Sequence, residues 1–275
     1  MAATRGSRRR RMNKKWWLGG LVVVVAALVA GGWYFFLRDD APAAVSNDQA
    51  NADLDDVLGS APASTDPTAT DPDTSTGDSA PTATDPVTVD GIDGTWNVDD
   101  EIGDFDFETA SGSFAGFRVA EELTAIGDTT AVGRTGSVTG TVTIADGTLT
   151  AAEITADLSA IVSDRSQREG AIRRAVNTSE FPTATFTFDG SVDVSAIEVG
   201  GPAQTFTVEG SLTVAGVTQP VTFTIDANVR DDGFGVITGS TEITWADFGV
   251  EAPSAPVVVS VADQGTVEFQ LIVAR

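Results

Sequence analysis

The sequence predicts an all-β domain with one short helical insertion, preceded by a single N-terminal transmembrane helix. Three observations support this prediction. Apolar and hydroxyl-bearing residues alternate with a period of two over several separate runs, which is typical of half-buried strands. One charged segment has apolar residues at helical spacing, and one long uncharged run lies near the N-terminus.

The chain opens with a basic segment, residues 1–17, followed by the apolar run Leu18–Leu37. As a helix, a run of this length would be about 30 Å long, which matches the hydrocarbon core of a bilayer. Because basic residues precede the run and acidic residues follow it, we expect a cytoplasmic N-terminus and an extracytoplasmic remainder. A cleaved signal peptide is the alternative. The run is longer than the usual ~7–15 apolar residues of such a peptide, which favours a retained single-pass anchor in the cell membrane.

Residues 38–93 predict a disordered acidic linker. Ala, Asp, Pro, Ser and Thr dominate this segment, and the sequence PTATDP occurs at both 67–72 and 81–86. Its main apolar cluster is Leu54, Val57 and Leu58, which is too little to offset the entropy lost on ordering. We expect a spacer that holds the following domain away from the membrane, and glycosylation of its hydroxyl groups is left open.

Charge and residue inventory exclude several classes of function. From residue 39 onward the chain has eight arginines and forty acidic residues, a formal charge of −32. Such a surface repels nucleic acid, so no nucleic-acid partner is expected. The chain has no cysteine and no histidine, which removes thiol nucleophiles, the commonest general base and the commonest transition-metal ligand. No catalytic residue, metal or cofactor is therefore predicted, and the chain is not expected to be an enzyme.

The folded domain is expected over residues 94–275, where alternating runs follow one another. Val and Thr dominate these runs because β-branched side chains suit a pleated, half-buried surface. A sheet of about eight antiparallel strands must fold into a sandwich or close into a barrel. The interior of such a barrel is either packed or holds one small ligand. The strands are predicted around Phe105 and Phe107 and at 138–144, 154–158, 183–188, 205–214, 221–229, 237–245 and 267–273.

One charged segment, residues 163–188, interrupts this series. Ala171, Ile172, Ala175 and Val176 recur at helical spacing, and Pro182 prevents any helix from continuing. A strand follows directly. The sequence therefore predicts a short helix next to the sheet, and the acidic segment 115–134 is a candidate flap at one end of it.

Several ordered segments resemble the YceI-like family, and the resemblance covers residues 94–275. It implies a lipocalin-like antiparallel barrel with a helical insertion, and some members bind polyisoprenoid lipid inside it. Many members carry histidines near the first long strand and in the charged helix, and this chain has none, so no role that needs imidazole is implied. The segments that carry the resemblance are GTWNVD (94–99), GSVTGTVTI (136–144), the segment 168–186 ending in SEFPTATF, EGSLTVAGVTQPVTF (209–223), TWADFG (244–249) and the last strand (267–273).

Two groups of candidate ligand-binding residues follow from this resemblance. The first would line an apolar tunnel, although the same side chains could simply fill the core. The second is a group of arginines that could contact a lipid pyrophosphate, although a solvated helix face is the alternative. The tunnel candidates are Phe105, Phe107, Phe186, Phe188, Phe206, Val208, Leu212, Phe223, Ile225, Trp245 and Phe269, and the arginines are Arg165, Arg168, Arg173 and Arg174.

The expected function is that of a membrane-anchored, extracytoplasmic binding protein for a hydrophobic small molecule of isoprenoid type. Its partners would be this lipid and, through residues 18–37, the membrane. A structural or stress-related cell-surface domain without a ligand is the alternative, and an enzyme is the least favoured class.

Overall fold

The computed structural model describes residues 41–60, 91–99, 101–124, 127–253 and 256–275. Within these residues the chain forms a closed antiparallel β-barrel with two short helices. The elements are α1 (Asn47–Ser60), β1 (Gly94–Val98), β2 (Phe114–Leu123), β3 (Gly127–Thr135), β4 (Val138–Ala145), β5 (Thr148–Asp157), β6 (Val162–Ser163), α2 (Ser166–Ala175), β7 (Thr183–Asp193), β8 (Gln204–Val214), β9 (Val217–Val229), β10 (Gly235–Thr244), β11 (Val258–Val261) and β12 (Gln264–Ala274).

Eight strands form the ring of the barrel, in the order β1, β4, β5, β7, β8, β9, β10 and β12. Strand β12 closes the ring, because it pairs with β10 along one edge (Ile237 opposite Leu271) and its end pairs with β1 along the other (Val98 opposite Val273). The first half of that second edge pairs with β2 (Phe117 opposite Val267). Alternation along β12 directs Phe269, Leu271 and Val273 into the interior. The predicted all-β, eight-stranded antiparallel barrel is therefore confirmed.

The predicted helical insertion is α2, which lies at one end of the barrel. It follows β6, whose residues pair with β3, and Ile172 is its buried residue. Arg173 and Arg174 lie in its last turn, where positive charge interacts favourably with the helix dipole. The candidate flap at 115–134 is a hairpin of β2 and β3 that pairs from Ala115 opposite Thr135 to Leu123 opposite Gly127.

The prediction of a strand around Phe105 and Phe107 was wrong. These residues lie in a turn-containing connection between β1 and β2, with a single bridge between Asp106 and Ser111. The Asp106 carboxylate accepts hydrogen bonds from the backbone N–H and the hydroxyl of Thr109, at 2.8 and 3.0 Å. These bonds lower the pKa of the Asp106 carboxyl, the backbone bond most, and such local side-chain bonds compete with strand pairing.

The segment 41–60 also differs from the predicted disordered linker, because Asn47–Ser60 forms helix α1. Ala50 and Leu54 are buried against Val236 and Ile272 on the outer surface of the barrel. The segment has too few apolar residues for a core of its own, but a preformed barrel surface supplies the missing partners.

The predicted basic segment 1–17, the predicted span 18–37 and linker residues 38–40 and 61–90 lie outside the described residues. In the part of the chain that is described, neither helix has the length and hydropathy needed to cross a membrane.

Residues 42–45 precede α1 and cover a buried ion pair on the outside of the barrel. Arg134 of β3 contacts Glu268 of β12 at 2.6 Å, and both side chains have no accessible surface. Gly116 of β2 lies between them, and a Cβ there would come within 2.8 Å of Arg134 Cγ. Burial lowers the pKa of the Arg134 guanidinium, and the charge of Glu268 offsets part of this effect.

Backbone groups of residues 42–45 complete the hydrogen bonding around the ion pair. Pro42 accepts a hydrogen bond from Arg118 at 2.7 Å, and Ala43 accepts one from Arg134 at 2.6 Å. The amide of Val45 donates to Glu268 at 3.4 Å. The segment therefore supplies hydrogen-bond partners that replace water around the ion pair, and it docks by polar contacts as well as by α1.

A substitution in α1 tests this docking. Leu54→Ala should lower the free energy of unfolding by about 2 kcal/mol, the low end for a buried leucine, because the helix can undock before the barrel unfolds. Val57→Ala, at a position 39% exposed on the same helix, is the matched control and should change it by less than about 0.5 kcal/mol. Urea unfolding measures both, and equal effects would contradict the docking of α1.

Candidate ligand cavity

The interior of the barrel holds a cavity of about 280 Å³. At one end it is lined by buried Trp96, Val229 and Val273. At the other end its lining includes Ile172 of α2 and the exposed residues 251–253, so the cavity reaches solvent there. We call this second end the mouth. Along β10 the lining runs from Gly235 to Ile243, roughly 27 Å of strand at about 3.4 Å per residue.

The cavity exists because many inward-facing positions carry alanine. An eight-stranded barrel is just wide enough for its own side chains to fill it, and alanine is too short to reach the middle. As a result, several larger inward residues, among them Phe186, Ile225 and Phe269, keep part of their surface accessible even though they pack against the core. The alanines are Ala115, Ala131, Ala152, Ala156, Ala184 and Ala227.

Three phenylalanines form the aromatic part of the wall. The ring of Phe223 lies 5.2 Å from that of Phe186 and 5.3 Å from that of Phe269, at interplanar angles of 79° and 59°. The first pair is edge-to-face, an arrangement that is favourable for aromatic rings, and the second is tilted. Gly210 makes room for the group, because a Cβ there would lie 2.5 Å from the Phe186 ring. The rings thus present a fixed apolar surface to the cavity.

Most of the predicted tunnel residues line the cavity, and three do not. Phe188 is buried in the core, while Phe105 and Phe107 lie in the connection between β1 and β2. Phe105 packs on the outward-facing ring of Phe114, at 5.9 Å between centroids. The contact of any lining residue with a ligand stays a prediction. Those that line the cavity are Phe186, Phe206, Val208, Leu212, Phe223, Ile225, Trp245 and Phe269.

Of the four predicted headgroup arginines, Arg168 lines the cavity and the other three do not. Arg165 is about half exposed and lies 3.5 Å from Asp164. Arg173 donates to the carbonyl of Ile161 at 3.2 Å, and Arg174 is exposed. The reason is helical geometry, since Arg168 shares the face of Ile172 and Ala175 that is turned to the barrel.

Glu121, Asp164 and Arg168 form a polar group that we call the mouth cluster. One terminal nitrogen of Arg168 donates to Glu121 and the other to Asp164. The Arg168 and Glu121 side chains are largely buried, with 13% and 6% of their surface exposed. Sequence reasoning missed Glu121. The sequence does carry a signal for Glu121. Phe117, Val119 and Glu121 alternate onto the inward face of β2, so a carboxylate interrupts an otherwise apolar series there.

The described residues contain no group of three or more acidic side chains arranged to hold a metal ion. The polar end of the cavity is the ion-paired mouth cluster, and the rest of the lining is mostly apolar. Such an arrangement suits the burial of a hydrophobic chain with one polar end.

Comparison with known proteins gives a family match and several similar folds. The family model "YceI-like domain" matches residues 96–273. No curated protein matches the chain. A polyisoprenoid binding domain from Saccharophagus degradans is 19% identical, with a TM-score of 0.48, over 58% of this chain and 93% of that one. BcnA of Burkholderia cenocepacia is 17% identical, with a TM-score of 0.44, over 58% and 95%. The YCEI protein of Campylobacter jejuni is 14% identical, with a TM-score of 0.42, over 52% and 84%.

Proposed function

Because this chain belongs to the YceI-like domain family, we propose that its barrel binds a hydrophobic, elongated small molecule of isoprenoid type in the interior cavity. The observation that carries the proposal is the accessible surface that inward-facing apolar residues such as Phe186, Ile225 and Phe269 retain. Apolar surface that stays accessible inside a fold gains free energy when a hydrophobic ligand covers it, at roughly 25 cal/mol per Å².

The dimensions of the cavity favour a narrow chain over a compact ring system. Its volume of about 280 Å³ is just below the roughly 300–1,000 Å³ of small-molecule sites. That volume is spread along the lining from Gly235 to Ile243, so its cross-section is small. The isoprenoid class is taken from the resemblance to the family, some of whose members bind polyisoprenoid lipid.

In this proposal the apolar side chains of the lining act by packing alone. Phe186, Phe223 and Phe269 would contact the chain in the middle of the barrel, and Trp245, whose ring packs on Phe117, would contact it near the mouth. The role is binding or carriage, and no reaction is assigned to the site.

Solvent extraction tests the proposal. The full-length protein, purified from the cells that make it, is extracted with organic solvent and the extract is analysed by mass spectrometry. We expect a hydrophobic compound at close to one molecule per chain, absent from a mock purification of cells that lack the protein. An extract that equals the mock purification would contradict the proposal and would favour a ligand-free structural role.

We also propose that residues 18–37 anchor the chain in the cell membrane with the barrel on the outside. The support is the apolar run and the basic residues before it. Protease added to intact cells stripped of their wall should therefore release a fragment that lacks residues 1–37, while a cytoplasmic protein stays intact. A barrel that is digested only after the cells are lysed would contradict this orientation.

A further inference from the structure

We propose that the mouth cluster makes the cavity selective for ligands with an uncharged, hydrogen-bond-donating polar end, such as an isoprenoid alcohol, and unfavourable for phosphorylated ones. The proposal rests on the function proposed above and concerns the polar end of the ligand. It differs from the expectation that arginines of α2 hold a pyrophosphate. The structure supports it in two ways, through the partners of Arg168 and through the balance of charge at the mouth.

The guanidinium of Arg168 is already engaged by the protein. Its two terminal nitrogens donate to Glu121 and to Asp164, and the cluster is mostly shielded from water. A phosphate could take these donors only by displacing a carboxylate. That would leave the negative charge of Glu121 buried without its partner, which is strongly unfavourable.

The balance of charge at the mouth is negative. Among the described residues that line the cavity, Arg168 is the one cation, and Glu121 and Glu251 are acidic. The carboxylate of Glu268 lies on the outer surface of the barrel, where Arg134 and Arg118 hold it, so it adds no charge to the cavity. A phosphorylated ligand would therefore bring its own negative charge next to carboxylates, and like charges placed together at an interface are costly.

A hydroxyl group meets none of these obstacles. Arg168 contacts Oε1 of Glu121, and a carboxylate has a second oxygen that can accept a hydrogen bond from an alcohol. The alcohol would donate to Glu121 without separating the ion pair. The cluster thus acts as a specificity-determining site built from Glu121, Asp164 and Arg168.

The test compares geranylgeraniol with geranylgeranyl diphosphate, which share one apolar chain, for binding to the full-length protein. The wild-type protein should bind the alcohol at least about tenfold more tightly. The double substitution Glu121→Gln and Asp164→Asn releases Arg168 from both carboxylates and should lower this ratio to about one or invert it. Glu122→Gln removes a charge from the neighbouring exposed residue of β2, and it should leave the ratio unchanged.

The possible outcomes distinguish a failure of the selectivity from a failure of the proposed lipid-binding function. Equal binding of the two ligands by the wild-type protein would overturn the selectivity, while the proposed lipid-binding function would stand. Binding of neither ligand would overturn the proposed function as well. If the double variant does not fold, Asp164→Asn alone, at a residue whose side chain is 19% exposed, should shift the ratio in the same direction. A ratio that equals the wild-type value in the folded variant would also overturn the selectivity.

Discussion

Replacing Glu268 by glutamine is expected to lower the free energy of unfolding by about 3–5 kcal/mol, because it leaves the Arg134 guanidinium buried without a counter-charge. Both side chains are fully buried, and Nη1 of Arg134 already lacks a hydrogen-bond partner among the described residues. Water cannot replace the lost carboxylate while residues 42–45 cover the site. Urea unfolding, followed through tryptophan fluorescence to which buried Trp96 contributes, measures the change.

A double substitution separates the cost of an unpaired charge from the loss of packing. Arg134→Met combined with Glu268→Leu removes both charges and keeps side chains of similar size. It should recover most of the stability that Glu268→Gln loses, since an apolar pair can replace a buried ion pair at little cost. A loss below about 1 kcal/mol for Glu268→Gln would show that water reaches the pair and that residues 42–45 do not cover it.

Filling the cavity is expected to weaken lipid binding strongly with little effect on stability. Ala152 of β5 faces the cavity, and a phenylalanine there would occupy space that a ligand needs. We expect Ala152→Phe to weaken binding of geranylgeraniol by more than tenfold. It should cost less than about 1 kcal/mol of stability, because the overpacking penalty of roughly 1–3 kcal/mol applies to interiors that are already filled.

Ala151→Phe is the matched control for this substitution. Ala151 is the preceding residue of the same strand, and it does not line the cavity. The control should leave geranylgeraniol binding within about twofold of the wild-type value. If Ala152→Phe costs 2 kcal/mol or more and binding is unchanged, the interior is packed and the ligand, if any, lies elsewhere.

The barrel could be predicted from the sequence because alternation is a local property. In β8 and β9 the period of two identifies Phe206, Val208, Phe223 and Ile225 as one face, and the structure places all four around the cavity. Alternation does not show whether the enclosed space is full. That depends on how alanines from different strands, such as Ala152 and Ala227, combine across the barrel.

The parts that could not be predicted depend on contacts between distant residues. Leu54 belongs to a small apolar cluster in an acidic segment, and the surface that buries it comes from the distant residues Val236 and Ile272. Glu121 and Arg168 are 47 residues apart in the chain, and neither gives a local sign of its partner. Charge patterning identified the arginines of α2, but only the folded arrangement distinguishes Arg168 from the three that do not line the cavity.

Photo-crosslinking tests most directly whether the barrel interior is the ligand site. The full-length protein is irradiated with a geranylgeraniol derivative that carries a diazirine on its isoprenoid chain, and the labelled residues are mapped by mass spectrometry. We predict labels on inward residues of β8 and β9, such as Phe206, Leu212 and Ile225, that unlabelled geranylgeraniol competes away. Labels confined to exposed apolar residues such as Val257 and Val259, or labels that resist competition, would contradict an interior binding site.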